Sequence, residues 1–389
     1  MKSTMSRRNW LKTSALLTGG ATLLTGSLNS VSANPLKTTS DTNTFGFREE
    51  NMAAEFPKLK ARLFANENPF GPSDKAKKAI QDAMATSYQY PFIILGELQK
   101  KIADYEGVKV EQIIMSSGSS PILQGAALLF SKDGGNIISG DPSYEDLLEK
   151  AAELKAEWIK VPLTKEYKLD LDEMEKRVND KTKLVYICNP NNPTATVVDT
   201  AKLKAFCERV SKKTTVFVDE AYIDYLDDPK SVTLIESVKK GQNIIVARTF
   251  SKLYGFAGLR VGYAIASEEM VKKLTPYTAG WGCISATSGS AALASYNDKE
   301  FLSDALKKTI ASKDFLYSVL KKEGYEYIPS STNFVMFPVN MDAERFTEEM
   351  MKRGVGVRPW QFAGKQWCRV SIGRMDEMQT FAEAFKQIS

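Results

Sequence analysis

The stretch "TFSKLYGFAGLR", residues 249–260, places Lys252 between a serine and a glycine-spaced turn, with Arg260 eight residues on. It lies between two β-branched apolar runs, Ile244–Val246 and Val261–Ile265. A lone lysine in a loop is ordinarily a solvated surface residue. A lysine in a low-dielectric crevice behaves differently. Burial disfavours its ammonium form, and the amine becomes nucleophilic toward an aldehyde. Arg260 nearby would push in the same direction, and its guanidinium could also hold a phosphate through two N–H groups.

Five more apolar runs precede this stretch: Ile113–Met115, Asn136–Ser139, Glu157–Val161, Leu184–Ile187 and Thr215–Val218. Most have a helical pattern before or after them. Such alternation predicts an α/β fold with a mainly parallel sheet of about seven strands sandwiched by helices. Residues 74–284 form the expected large domain. From residue 285 the pattern changes to a long helical stretch (Ser285–Lys322), then "TNFVMFPV", a helix around Ala343–Arg353, "GVGVRP", "WCRVSIG" and a last helix. Residues 51–73 and 285–389 are expected to make a smaller α+β domain.

Functional groups in parallel α/β sheets gather at the carboxyl ends of strands. Here those ends read "SSGSSP" (116–121), "GDPSYEDL" (140–147), "CNPNNPTAT" (188–196), "DEAYIDY" (219–225) and the stretch around Lys252. Gly118 frees the backbone, Ser119 and Ser120 supply hydroxyls, and a helix follows at once. That is either an ordinary serine-rich N-cap or a phosphate cradle. Asp219 ends an apolar run, where a carboxylate is costly unless a cation meets it. It is either an N-cap or salt-bridge partner, or the partner of a protonated heterocycle. A phosphate cradle, a carboxylate for a ring nitrogen and an amine for an aldehyde are together what pyridoxal 5'-phosphate needs.

Composition narrows the chemistry further. The 389 residues contain no histidine, which excludes serine–histidine triads, cysteine–histidine pairs and imidazole metal sites. The four cysteines, Cys188, Cys207, Cys283 and Cys368, form no CxxC pair and read as buried free thiols, so no metal site is expected. Four of the five net positive charges belong to Lys2, Arg7, Arg8 and Lys12. The rest of the chain is nearly neutral and carries no electrostatic footprint for nucleic acid. Arg7 and Arg8, a mildly apolar run and Val31-Ser32-Ala33 follow the order of an export signal. Residues 1–33 resemble a twin-arginine signal peptide, which implies the twin-arginine translocase as a partner and a periplasmic or otherwise exported location. Residues 34–50 are expected to be a flexible polar lead-in.

"NENPFGPS" (66–73), "NPNNPT" (189–194), "VDEAY" (218–222), "TFSK" (249–252) and "AGLRVGY" (257–263) occur in order over nearly the whole remaining chain. In them the chain resembles the fold-type I, class I/II aminotransferases, and among these the histidinol-phosphate aminotransferase branch. The resemblance implies that Lys252 condenses with the pyridoxal 5'-phosphate aldehyde and later moves a proton at the substrate Cα. It gives Asp219 the ring nitrogen, Asn192 and Tyr222 the phenolic oxygen, and Tyr144 a ring face. Gly118, Ser119, Ser120, Ser251 and Arg260 would hold the phosphate. Tyr90, in "YQYPF", would reach the neighbouring subunit's phosphate, implying a homodimer. Arg369 would clamp a substrate carboxylate, Asn68 and the preceding "ANE" would line the entrance, and Arg358 would lie near the substrate's distal end. Tyr90 and Tyr144 also fit as packing aromatics, and Arg369 as a strand-edge ion pair.

Two features depart from the pattern. Ala195 stands where the family has glycine, which is compatible with a negative φ and a reshaped turn. Pro359, Trp360, Phe362, Trp367 and "YTAGWGC" (277–283) are unusually aromatic for recognising a phosphate. They fit either packing or a flat substrate side chain. The expected activity is transfer of an amino group from an L-amino acid, histidinol phosphate or an aromatic amino acid, to a 2-oxo acid such as 2-oxoglutarate. A lyase, racemase or cyclase would use the same cofactor residues.

Overall fold

A computed structural model describes residues 59–388 of the chain. The expected signal peptide, the lead-in and residues 51–58 lie outside the described residues. Twelve strands are described. The short β1 (Ala61–Arg62) comes first, followed by β2 (Ile113–Ser116), β3 (Asn136–Asp141), β4 (Glu157–Pro162) and β5 (Thr182–Cys188). Next come β6 (Thr215–Asp219), β7 (Ile244–Thr249) and β8 (Gly262–Ile265). The last four are β9 (Phe334–Pro338), β10 (Val355–Gly356), β11 (Arg358–Phe362) and β12 (Lys365–Ser371).

Strands β2 to β8 build one seven-stranded sheet in the order β2-β8-β7-β6-β5-β3-β4. β8 runs antiparallel to both its neighbours, and the other pairings are parallel. All seven expected runs are strands. Strands β6 and β7 are buried at every position, as a central strand covered by helices on both faces must be. Val216 and Val218 face one core and Phe217 the other, because successive side chains leave a strand on opposite sides. Each such buried side chain contributes about 2 kcal/mol. The carboxyl ends of β2, β3, β5, β6 and β7, and the start of β8, therefore open on one edge of the sheet.

The large core extends past residue 284. The helix Ala286–Ser295 places Ala291 and Ala292 in it, and Tyr296 just beyond joins them. The expected continuous helix over 285–322 is two helices, broken at Asn297, whose φ is +61°. A second core joins the helices Lys299–Lys322, Ala343–Lys352 and Met375–Phe385 to an antiparallel sheet in the order β11-β12-β9. β1 pairs in parallel with β10, so residues 61–62 belong to this second layer. Of the four cysteines, Cys188, Cys207 and Cys368 are buried but Cys283 is exposed. Among the described residues no helix is long and apolar enough to cross a membrane.

Candidate active site

The site is built where the strand ends of the large sheet face β12. Asp219, last residue of β6, is 2 % exposed. Its Oδ2 accepts from the Tyr186 hydroxyl at 3.2 Å and its Oδ1 from the Ala221 N–H at 3.1 Å. Both donors are neutral. Burial pushes its carboxyl up to about 6, against the pull of those two hydrogen bonds and of the Lys252 charge. A carboxylate so placed is short of a cation. Lys252 leaves the β7–β8 connection with Nζ 5.1 Å from the centre of the Tyr222 ring and 3.4 Å from the Asn66 carbonyl oxygen. The Tyr222 hydroxyl accepts from Asn66 Nδ2 at 3.1 Å.

The phosphate-class residues also converge. Gly118 has φ +84°, and a Cβ there would overlap the Arg260 guanidinium. Arg260 donates through Nη1 to Ser251 Oγ at 3.1 Å and to the Ala257 carbonyl at 2.9 Å. No carboxylate among the described residues pairs with it. Ser119 and Ser120 open the helix Ser120–Ser131, and the Ser119 side chain makes no capping hydrogen bond there. Tyr144 is hydrogen-bonded with Ser120, and burial pushes its phenol well up.

Across the cleft, the second layer contributes through strand alternation. Trp367, Arg369 and Ser371 share one face of β12, while Cys368, Val370 and Ile372 enter the small core. Arg369 is 2 % exposed. Its Nη1 donates to Asn192 Oδ1 at 2.7 Å and its Nη2 to the Phe64 carbonyl at 2.9 Å, while Nε has no partner. No carboxylate among the described residues pairs with it. Burial, and then the Arg358 charge, pull its guanidinium down to about 9. A buried guanidinium with an idle N–H is a receptor for an anion. Asn192, read as a cofactor ligand, thus also orients Arg369.

Asn68 turns away from this cleft. Its Nδ2 donates to the Leu253 carbonyl and its Oδ1 accepts from the Phe70 N–H, so it braces the residue after Lys252. Asn66, two residues earlier with φ +55°, faces the cleft and is held by Ser371. Tyr90 is 77 % exposed and stacks on Phe92. Tyr186 and Ser371 had no sequence signal, one lying inside an apolar strand and the other in a small-domain strand.

The family description "Aminotransferase class I and II" matches residues 60–385. The chain belongs to this family. It is 37% identical over 328 residues to the histidinol-phosphate aminotransferase of Caldicellulosiruptor saccharolyticus, covering 84% of this chain and 91% of that one. It is 33% identical over 329 residues to that of Moorella thermoacetica, covering 84% and 85%. The solved histidinol-phosphate aminotransferase of Sinorhizobium meliloti in complex with pyridoxal 5'-phosphate superposes with a TM-score of 0.79 at 25% identity, over 85% of this chain and 92% of that one. This chain is a pyridoxal-phosphate-dependent aminotransferase of fold type I.

The residues present fit that cofactor. The cation-poor Asp219 suits a protonated ring nitrogen. The groove that only a glycine at 118 permits, with an arginine free of carboxylates, suits a phosphate. In this aminotransferase Ala195 has φ +61°, a left-handed conformation that costs a residue with a Cβ about 1 kcal/mol, so the negative φ expected from the sequence is not adopted. Ala195 lies in one buried cluster with Tyr222, Leu253 and Phe334.

Proposed function

We propose that this aminotransferase takes the amino group of an L-amino acid, histidinol phosphate and aromatic amino acids being the candidates, and passes it to a 2-oxo acid such as 2-oxoglutarate. Bound pyridoxal 5'-phosphate supplies an aldehyde and an electron sink that acidifies the substrate Cα–H. Asp219 would meet the ring nitrogen, and Asn192 and Tyr222 the phenolic oxygen. Gly118, Ser119, Ser120, Ser251 and Arg260 would hold the phosphate, and Tyr144 would line the ring. Lys252 would be the amine that holds the aldehyde and the base at the substrate Cα–H, a role left to lysine in a chain without histidine. Arg369 binds the substrate's anionic head.

The observation that carries this reading is the buried Arg369, with an unpaired Nε and no carboxylate, in the same cleft as Lys252 and Asp219. The purified protein is expected to be yellow, and borohydride to fix the cofactor on Lys252. Added amino acid should convert it stoichiometrically to the pyridoxamine form, and 2-oxoglutarate should reverse this. Steady turnover without any keto acid would replace transamination by a lyase, racemase or cyclase reaction. The reading extends to a homodimer, supported by the exposed Tyr90, and to export through the twin-arginine translocase, supported by residues 1–33. A cell fractionation placing the mature protein in the cytoplasm would reject the export.

A further inference from the structure

Asn66 is a crossing point between the two walls of the site. It is 2 % exposed and has φ +55°. Each of its polar groups has a protein partner. Its N–H donates to Ser371 Oγ at 2.8 Å, and its carbonyl oxygen accepts from Asn333 Nδ2 at 3.1 Å and from Lys252 Nζ at 3.4 Å. Its Oδ1 accepts from the Ser371 hydroxyl at 2.9 Å, and its Nδ2 donates to the Tyr222 hydroxyl at 3.1 Å. Ser371 ends β12, two positions after Arg369 on the same face, and is 3 % exposed. Its own N–H donates to the Leu63 carbonyl at 2.8 Å.

The Asn66 amide has two possible orientations, and Ser371 chooses between them. A hydroxyl carries one proton and can accept twice. Ser371 Oγ accepts from the Asn66 N–H, and among the described residues Asn66 Oδ1 is the acceptor of its proton. Turning the amide over would put an NH2 group there and leave a buried proton without an acceptor, which is costly. At its other end the amide presents Nδ2, a pure donor. Tyr222 must accept there, so its own proton points elsewhere, and the described residues offer that proton no acceptor. A turned amide would take the Tyr222 proton for itself. The donors therefore run one way, from Ser371 through Asn66 to Tyr222, and each link strengthens the next.

We propose that Ser371 is a positioning residue: its hydroxyl fixes the Asn66 amide so that the Tyr222 proton is left for the phenolic oxygen of pyridoxal 5'-phosphate. The strand that carries Arg369 thereby also tunes the bound cofactor. The inference rests on the role proposed for Tyr222 and refines it.

The readout is the pH at which the cofactor bound to Lys252 changes its absorption, taken without substrate. A phenolic oxygen that loses a donor keeps more negative charge, which holds the nearby nitrogen's proton more tightly and raises this midpoint. Ser371→Ala should raise it by about one unit. Ser371→Thr, which keeps the hydroxyl, should stay close to the wild type. Tyr222→Phe should raise it by about one unit or more. Adding Ser371→Ala to Tyr222→Phe should then change nothing further, because the chain of donors has lost its last member. A serine that merely held the fold together would move both backgrounds alike. Asp219, Lys252, Arg369 and its cross-strand neighbour Arg358 are the same in all of these proteins, so their charges cancel from the comparison.

A wild-type midpoint in Ser371→Ala, or an equal shift in both backgrounds, would overturn the proposal. If Tyr222→Phe itself leaves the midpoint unmoved, the role of Tyr222 fails and takes this inference with it. Should Ser371→Ala not fold, Asn66→Asp keeps a side chain suited to a left-handed φ but offers Tyr222 only an acceptor. Its shift should be larger with Tyr222 present than in Tyr222→Phe, and equal shifts would again overturn the proposal.

Discussion

Asp219 is buried with no ion pair among the described residues, and its carboxyl is raised to about 6 chiefly by that burial. A carboxyl raised on folding contributes stability that is present at low pH and lost as pH rises through the folded value. The cofactor-free enzyme should therefore lose stability as pH rises through about 6, and Asp219→Asn should lose less. The difference between the two melting curves, on the order of 1–3 kcal/mol by pH 8, isolates this group. It must be taken as a difference because Asp224, also raised to about 6 by burial, titrates in the same range. Activity should move the other way. Without a negative charge for the ring nitrogen, the half-reaction should slow by about a hundred-fold or more. An Asp219→Asn enzyme with ordinary rates would contradict the role given to this carboxylate. Arg369 is the second decisive residue. Arg369→Gln should raise the Kd for amino acids by about a hundred-fold, since a buried charge-assisted contact is lost, while the cofactor spectrum stays.

At the scale of elements, the β2 end and the β7–β8 connection touch only because residue 118 has no Cβ. Gly118→Ala adds both an overlap with the Arg260 guanidinium and a left-handed φ of +84°. Pyridoxal 5'-phosphate affinity should fall by about ten-fold or more, measured by equilibrium dialysis. The far-UV circular dichroism should be unchanged, because the contact lies outside both cores. This half of the site was legible in the sequence. Apolar runs with polar ends announce strands of a parallel sheet, and such a sheet sends its carboxyl ends to one edge, which brings Gly118, Asn192, Asp219 and Lys252 together. The other half was not. Alternation along 358–371 assigns faces only once β11 and β12 are in register, so the pairing of Arg358 with Arg369 had no linear signature. Asn66 and Asn68 look equivalent in "NENP", and only a left-handed φ at Asn66 turns it toward Tyr222 and Lys252 while Asn68 braces Leu253. Tyr186 sits within the buried run of β5, where a tyrosine reads as packing until Asp219 is placed beside it.

At the scale of the molecule, one surface is unlike the rest. Tyr88, Tyr90, Phe92 and Ile93 are between 61% and 83% exposed, and all lie within six residues at the start of the helix Phe92–Glu106. Large apolar side chains grouped this way mark an association surface rather than scattered surface hydrophobes. The helix itself is anchored, for Leu95, Leu98 and Ile102 on its other face lie in the large core. A rigid helix thus presents the patch, and in the proposed homodimer a second copy of the chain would cover it and bring Tyr90 to a neighbouring phosphate. Replacing Phe92 and Ile93 together by glutamate should shift the sedimentation coefficient from dimer to monomer without lowering the helix content, since neither side chain enters a core. Tyr90→Phe should leave the dimer intact and weaken cofactor binding by about ten-fold or more, the value of one hydrogen bond to a charged group. If the double variant stays dimeric, the association surface lies elsewhere. If Tyr90→Phe binds the cofactor as tightly as the wild type, the tyrosine is an interface aromatic and no more.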